Sequence, residues 1–211
     1  GDVYKRQVLF TQNTAYSIDM TDHGSAAASS LMNALRATYD ASIAVGYSPL
    51  VSTSIYCGEY SKQQILWVMA GNYAVSQGEY TGAELRQMME WLVNVKDNGA
   101  NPIRHRNYMP VTSGMEYKVT EYEQGKFRLE ELTINGAPLD DTATYTVFVA
   151  GIDVWIENEV YCNCPMPENL KAKRTEYAIE GAESRSCLKD SLAVSKQFPA
   201  PSEYLTIVQG E

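Results

Sequence analysis

The chain has 211 residues, of which 45% are hydrophobic and 20% are charged, and its formal net charge is −9 at pH 7. This length can bury one substantial core, so we expect a single domain. The negative charge argues against binding to nucleic acid or to an anionic membrane, because both partners require a clustered positive face. No run approaches the roughly 20 apolar residues that a membrane-spanning helix needs.

The N-terminal segment Gly1–Gln7 has neither an initiating Met nor the apolar core of a signal peptide. It resembles translated sequencing-adapter read-through of the kind seen in metagenomic assemblies. We therefore expect residues 1–7 to be an artefact outside the fold and residues 8–211 to form the domain. The chain is also expected to be a fragment that lacks its natural N-terminus.

The first part of the domain combines short strands with a helix. Val8–Thr11 predicts an entry strand, and Ser25 to about Tyr39 predicts a helix with apolar residues at helical spacing. Ser42–Val45 is a short apolar run typical of a buried strand.

Two capping boxes predict the starts of the next two helices. Ser61 stands three residues before Gln64, and Thr81 stands three residues before Glu84. In each pair the hydroxyl accepts a hydrogen bond from one backbone N–H while the longer side chain reaches back to the other. The first helix is expected to run to Met69. The second carries a buried face formed by Leu85, Met88, Met89, Leu92 and Val95.

The next part predicts antiparallel strands. Apolar and polar residues alternate over Met115–Thr120 and again over Phe127–Leu129. The alternation slips by one residue at Glu130–Glu131, which predicts a β-bulge. Asn135–Gly136 is a strong tight-turn signal, and Tyr145–Val149 predicts a further strand that is largely buried.

The C-terminal part is less regular in its pattern. Cys162–Gly181 is polar, charged and contains proline, so we expect an irregular excursion there. A helix near Ser186–Gln197 and a last strand at Tyr204–Val208 should complete the domain.

The four cysteines allow two disulfides, in three possible pairings, or four free thiols. They are Cys57, Cys162, Cys164 and Cys187. The spacing of Cys162 and Cys164 would suit a metal ligand pair, but only His23 and His105 are present as histidines, and no second Cys pair stands at finger spacing. We therefore predict no metal site in this chain.

Three motifs occur in a fixed order in the middle of the chain. They are Glu79–Leu85 (EYTGAEL), Val111–Tyr117 (VTSGMEY) and Leu132–Asp140 (LTINGAPLD), and Tyr145–Val147 follows them. In order and spacing they resemble the C-terminal, substrate-binding domain of the 5'-nucleotidase family of exported metallophosphoesterases. The resemblance extends from about Val8 to the C-terminus.

The resemblance implies an α/β fold with α+β-like layers, in which mixed sheets pack against helices, and the predicted order of helices and strands fits it. It also implies that catalysis and substrate binding belong to two different domains. Catalysis would belong to an N-terminal metallophosphoesterase domain of the same chain, which is missing here and in which Asp, His and Asn side chains hold two divalent metal ions that activate water. We therefore expect no catalytic residue and no cofactor in this fragment. The parent protein would be an exported hydrolase of nucleotide catabolism, located outside the cell, in the periplasm or in the cell envelope, with a nucleoside or nucleotide as its ligand.

The substrate-binding positions implied by the resemblance are mostly altered. Ser52 stands where the family has a phosphate-binding arginine, and Ala70 stands where it has a stacking phenylalanine. Gly151–Ile152 replaces the second ring and the glycine-rich loop beside it. Asn72 keeps its place, although it suits a structural turn equally well. Trp155 is a candidate replacement platform for the base, with packing as its alternative role.

Two functions of different class follow. The chain is either the substrate-specificity domain of a 5'-nucleotidase-like hydrolase or a diverged, non-catalytic interaction module that has lost nucleotide binding. The segment Arg104–Arg106 offers a replacement anion site, with a solvated loop as the alternative. The adjacent carboxylates Asp140 and Asp141 lie in the motif turn and are expected to be structural.

Overall fold

The computed structural model describes residues 3, 6–47, 50–94, 109–152 and 165–211. The helices of these residues are α1 (Ala26–Thr38), α2 (Lys62–Val68), α3 (Gly82–Asn94), α4 (Glu168–Glu176) and α5 (Ser184–Ser195). The strands are β1 (Val8–Gln12), β2 (Met20–Thr21), β3 (Gly24–Ser25), β4 (Ile43–Tyr47), β5 (Gly58–Ser61), β6 (Ala74–Thr81), β7 (Pro110–Ser113), β8 (Glu116–Glu123), β9 (Lys126–Ile134), β10 (Ala137–Pro138), β11 (Thr144–Ala150), β12 (Ala178–Glu183) and β13 (Leu205–Gln209). None of these helices is long and apolar enough to cross a membrane.

A five-stranded mixed sheet in the order β12-β6-β11-β4-β7 forms the centre of the domain. β11 runs parallel to β4 and antiparallel to β6, and β4 is buried at all five of its residues. Burial on both faces requires near-continuous apolar sequence, which is why Ile43–Val45 and Val147–Ala150 show no alternation. Helix α1 packs on β4 and β7 and is in turn covered by α5. The predicted fold class, mixed sheets layered with helices, is confirmed.

A second sheet has the order β10-β9-β8-β13, and buried residues alternate with partly exposed ones along the first six residues of β8. The predicted bulge is present, because Lys118 pairs with Glu131 while Val119 pairs with Leu129, leaving Glu130 as the extra residue. The predicted tight turn also forms. Asn135 and Gly136 both have positive φ, 51° and 77°, as a two-residue hairpin turn of the primed type requires.

Helix α3 lies between the two sheets, in contact with β6, β7 and β9. Its predicted face is buried at Leu85, Met88, Met89 and Leu92, while Val95 lies outside the described residues. The predicted capping box closes its first turn. The Thr81 N–H donates to Glu84 Oε2 at 2.8 Å, and the Glu84 N–H donates to Thr81 Oγ1 at 3.2 Å. The matching box of α2, Ser61 with Gln64, is also formed.

Gly82 explains why two of the motifs occur together. A Cβ at this position would lie 2.0 Å from the backbone oxygen of Asp140, a distance that no side chain tolerates. The Gly82 N–H donates to Ala143 O at 2.9 Å, and the Ala83 N–H donates to Asp141 O at 3.0 Å. Arg86 Nη2 then lies 2.8 Å from Asp141 Oδ1. The start of α3 is therefore docked on the connection between β10 and β11.

The expected irregular excursion at Cys162–Gly181 is wrong for its described part, which forms α4 and most of β12. Leu170 is the buried residue of α4, so the helix has no apolar stripe for a periodicity argument to detect. Polar contacts hold it instead. Lys173 Nζ lies 2.6 Å from Glu84 Oε2, and the Asn169 and Gln87 amides exchange hydrogen bonds.

Helix α5 begins two residues earlier than the pattern predicts, at Ser184 instead of Ser186. The reason is an unusual capping box in which the Glu183 side chain accepts from the first turn while Ser186 Oγ accepts from the Glu183 N–H at 3.1 Å. An acidic cap with a serine three residues later reverses the usual order of the two side chains. The sequence pattern therefore does not reveal it.

The Glu84–Lys173 pair gives a pH prediction. Burial raises the pKa of Glu84, but hydrogen bonds from Lys173 and Thr81 outweigh it, so the pKa of this carboxyl is lowered in the folded protein. A lowered carboxyl pKa stabilises the fold above the ordinary pKa of glutamate, and this stabilisation is lost as pH falls through the lowered value. We expect Glu84→Gln to cost about 1–3 kcal/mol of unfolding free energy at pH 7 and to flatten the acid limb of the stability curve.

Urea unfolding between pH 7 and pH 3 measures this effect. The matched control is Glu123→Gln, which removes a carboxylate 2.6 Å from Lys126 on an exposed hairpin. Exposed pairs contribute little, so this variant should lose less than about 1 kcal/mol. Equal losses in the two variants would contradict the assignment of Glu84.

Candidate substrate-binding edge

Three connections of the chain meet at one edge of the five-stranded sheet. Because β11 is parallel to β4 and antiparallel to β6, the ends of β4 and β11 and the start of β6 lie side by side. The connections that leave or enter here follow Tyr47, precede Ala74 and follow Ala150. They contain every described position that the family resemblance assigns to substrate binding.

Ser52 lies on the first of these connections and is exposed. Its N–H donates to Val68 O at 2.8 Å, and its Oγ donates to the carbonyl oxygen of Trp67. Val51 and Met69 form an isolated bridge beside it. This neutral hydroxyl already bonds a carbonyl at the end of α2. It cannot replace the two parallel hydrogen bonds that a guanidinium donates to a phosphate.

Ala70 and Asn72 lie on the second connection, and both are exposed. The Ala70 N–H donates to Leu50 O at 2.8 Å, which holds its methyl group at the surface. Asn72 uses both ends of its amide within the protein. Its Nδ2 donates to the Glu183 carboxylate, and its Oδ1 accepts from the Arg185 N–H at 3.2 Å. Asn72 therefore joins this connection to the start of α5, and its role in substrate binding stays a prediction.

The third connection begins with Gly151 and Ile152. Gly151 has φ of 74°, a conformation that favours glycine, and Ile152 is buried. The structure therefore shows an apolar, packed residue next to the strand end where the family has its second ring. Trp155 lies outside the described residues, as do Asp153 and the segment Arg104–Arg106.

Arg185 is a residue of this edge that sequence reasoning missed. It belongs to α5, and its Nη2 donates to Met69 O at 3.0 Å, which brings a guanidinium to the connection that carries Ala70. Its Nε is buried and makes no hydrogen bond among the described residues. No spacing in the sequence links residue 185 to residue 69, so only the fold could reveal this contact.

Two exposed aromatic side chains also lie near this edge. Tyr56 and Trp67 are each 63% exposed and line a groove of about 200 Å³ together with Ser54 and Gln64. A signal for Trp67 exists in the sequence, because Ile65 and Val68 form the buried face of α2 and residue 67 falls on the opposite side.

No group of three or more His, Cys, Asp or Glu side chains gathers as metal ligands would in the described ranges. His23 Nδ1 lies 3.9 Å from Glu203 Oε2, and both side chains are more than half exposed. Cys57 is exposed and Cys187 is buried, each as a free thiol, and burial raises the pKa of Cys187. Cys162 and Cys164 lie outside the described residues.

Comparisons with known proteins agree with this architecture. The sequence model of the family "5'-nucleotidase, C-terminal domain" matches residues 7–152. No curated protein sequence matches the chain. Among solved structures, the chain resembles a 5'-nucleotidase precursor from Thermus thermophilus with a TM-score of 0.70 and 16% identity, covering 100% of this chain and 41% of that one.

Two further solved structures have the same fold. One is an NAD nucleotidase from Haemophilus influenzae, with a TM-score of 0.71, 11% identity and coverage of 100% of this chain and 39% of that one. The other is a sulfate thiohydrolase, also from Thermus thermophilus, in complex with glycerol, with a TM-score of 0.67, 16% identity and coverage of 98% and 36%. The chain thus spans about two fifths of the length of the structures that it matches.

The bonds of Asn72 predict how substitutions there affect stability. Asn72→Ala removes two hydrogen bonds and should cost about 1–2 kcal/mol, which lowers the melting temperature by roughly 2–8 °C. Asn72→Asp should cost more at pH 7, because it places a second carboxylate against Glu183. Melting of Asn72→Asp at pH 4 should recover part of this loss. If Asn72→Asp and Asn72→Ala melt alike at pH 7, the contact with Glu183 is not made in solution.

Proposed function

The chain belongs to the family of 5'-nucleotidase C-terminal domains, and we propose that it is the substrate-recognition domain of an exported phosphoesterase that acts on a nucleoside phosphate or a related phosphoester. Hydrolysis would be performed by an N-terminal metallophosphoesterase domain of the same protein. Its two divalent metal ions would activate the attacking water. The described residues of this chain do not fit such a metal centre, so no step through the metal ions is assigned to them.

The observation that carries the proposal is the agreement between family membership and topology. The family match covers residues 7–152, and the fold brings Ser52, Ala70, Asn72 and Gly151 to one edge of the central sheet. A recognition domain that completes a site shared with another domain needs its binding side chains on one accessible edge. The exposure of Ser52, Ala70 and Asn72 meets this requirement.

The side chains of this edge support an anionic ligand that is held less tightly than the family pattern implies. Ser52 offers a hydroxyl that is engaged with α2, and Ala70 offers no ring. Arg185, which α5 supplies, is the described positive charge bonded to the same connection. We infer that Arg185 takes over the contact with the phosphate. Loss of one stacked ring would lower base affinity by about 1–3 kcal/mol, or roughly ten- to a hundredfold.

The alternative is a diverged interaction module without nucleotide binding. The observation in its favour is that Asn72 already uses its amide nitrogen and its amide oxygen in hydrogen bonds with Glu183 and Arg185. One of the fold relatives is a sulfate thiohydrolase, so this architecture also occurs in a protein whose name does not refer to a nucleotide. The phosphoesterase proposal also places the parent protein outside the cell, in the periplasm or in the cell envelope. This location rests on the family resemblance.

Thermal melting of the 211-residue chain with AMP separates the two functions. A ligand at a hundred times its dissociation constant adds about 2.7 kcal/mol to unfolding free energy, which should raise the melting temperature by several degrees. A flat response across AMP, adenosine and NAD would favour the interaction module. The upstream reading frame gives a second test, because the hydrolase proposal requires clustered Asp, His and Asn metal motifs there.

Restoring the missing ring provides a gain-of-function prediction. Ala70→Phe should raise AMP affinity about ten- to a hundredfold, because an exposed ring at this position can stack on the base. Ala70→Leu is the matched control, since it adds apolar area without a π-face, and it should change affinity little. Calorimetric titration measures both. A gain of equal size in the two variants would mean that apolar contact, not base stacking, is the cause.

A further inference from the structure

A cavity of about 260 Å³ lies between α4 and the central sheet, where β11 ends and β6 begins. Its walls come from β6, β11, α4 and the first residue of β12, and it shares Gly151 and Ile152 with the candidate edge. β6 supplies Val75 and Ser76, β11 supplies Val149 with Ile152 just beyond it, and α4 supplies Arg174. Pockets for drug-sized ligands measure roughly 300–1,000 Å³, so this cavity suits a smaller molecule.

Ser76 is the first observation that points to a ligand. It is 3% exposed, and its Oγ makes no hydrogen bond among the described residues. Buried side-chain oxygens nearly always have a partner, so this hydroxyl requires an explanation. Ser76 lies on the same face of β6 as Gly78 and Tyr80, both of which contact Tyr177 at the end of α4. The hydroxyl is therefore directed toward the α4 side, where the cavity lies.

Arg174 is the second observation, because it adds a permanent positive charge to an otherwise largely apolar wall. A guanidinium carries five N–H donors in a fixed fork, so a contact elsewhere still leaves donors for a ligand in the cavity. Thr175 adds a second hydroxyl from the same turn of α4, but this hydroxyl donates to Lys171 O at 3.0 Å, so it has no proton left for an anion. Val149 and Ile152 supply the opposing apolar surface.

We propose that this cavity binds a small aliphatic monocarboxylate. The carboxylate would lie between the Arg174 guanidinium and the Ser76 hydroxyl, and its hydrocarbon chain would pack on Val149 and Ile152. A planar carboxylate matches the guanidinium fork with two parallel hydrogen bonds. A phosphate dianion fits less well, because its burial requires more donors than one guanidinium and the Ser76 hydroxyl provide. The cavity shares Gly151 and Ile152 with the candidate edge, but the proposal does not rest on the phosphoesterase function.

Calorimetric titration of the 211-residue chain with 4-methylpentanoate tests the proposal. Saturable binding is expected, with 4-methylpentanamide, its uncharged analogue, at least about tenfold weaker. Arg174→Gln should weaken carboxylate binding about tenfold or more. Arg128→Gln, which removes an exposed arginine paired with Glu130 on β9, is the control and should leave it unchanged. Absence of saturable binding, equal affinity for the amide, or tighter binding of inorganic phosphate would overturn the proposal.

A second variant keeps the test valid if Arg174→Gln folds poorly. Without ligand, Ser76→Ala should melt no lower than the parent chain, since no protein partner loses a bond. Ser29→Ala is the control, because Ser29 is equally buried and its Oγ accepts from the Ser202 N–H at 2.7 Å, so this variant should melt several degrees lower. With 4-methylpentanoate, Ser76→Ala should bind at least about threefold more weakly. If Ser76→Ala melts as low as Ser29→Ala, or binds as tightly as the parent chain, the hydroxyl does not serve a ligand.

Discussion

The pairing of β11 with its two neighbours is the constraint on which the candidate site depends. β11 pairs with β6 over its whole length and with β4 in parallel at Val147–Val149. A parallel pair needs a crossover connection, and here β11 follows β4 by about 100 residues. The whole second sheet apart from β13, together with α3, belongs to that crossover. The edge that carries Ser52, Asn72 and Gly151 therefore cannot form locally, and it exists only once the complete domain has folded.

The features that could be predicted from the sequence are those that depend on residues close together along the chain. The capping boxes at Ser61 and Thr81 need only a pair three residues apart, and the turn at Asn135–Gly136 needs only two residues that tolerate positive φ. The bulge at Glu130 was visible as a slip in a two-residue period. Family resemblance added what local pattern cannot, namely that the motifs containing Gly82 and Asp140 occur together in order, and the 2.0 Å approach between these residues supplies a physical reason.

The features that sequence could not predict depend on partners far along the chain. Helix α4 lacks an apolar stripe and is positioned by Lys173 on Glu84 and by Asn169 on Gln87. The contact of Arg185 with Met69 could not be predicted for the same reason, because the two residues are more than a hundred positions apart in the sequence. Polar pairs of this kind have no period, so neither hydrophobic spacing nor composition reports them. They are also the contacts that shape the candidate edge and the cavity beside it.

The division between packed and exposed residues explains how the edge can diverge while the fold persists. Gly82 and Gly151 are fixed by close approach or by positive φ, so substitution there would disturb the backbone itself. Ser52, Ala70 and Asn72 are exposed, and most exposed substitutions change stability by less than about 0.5 kcal/mol unless they break a specific bond. At Ala70, whose side chain makes no hydrogen bond, ligand chemistry can therefore change without loss of the framework, whereas a change at Ser52 or Asn72 must also replace a hydrogen bond. Identities of only 11–16% at TM-scores of 0.67–0.71 are the pattern that such a division of constraints produces.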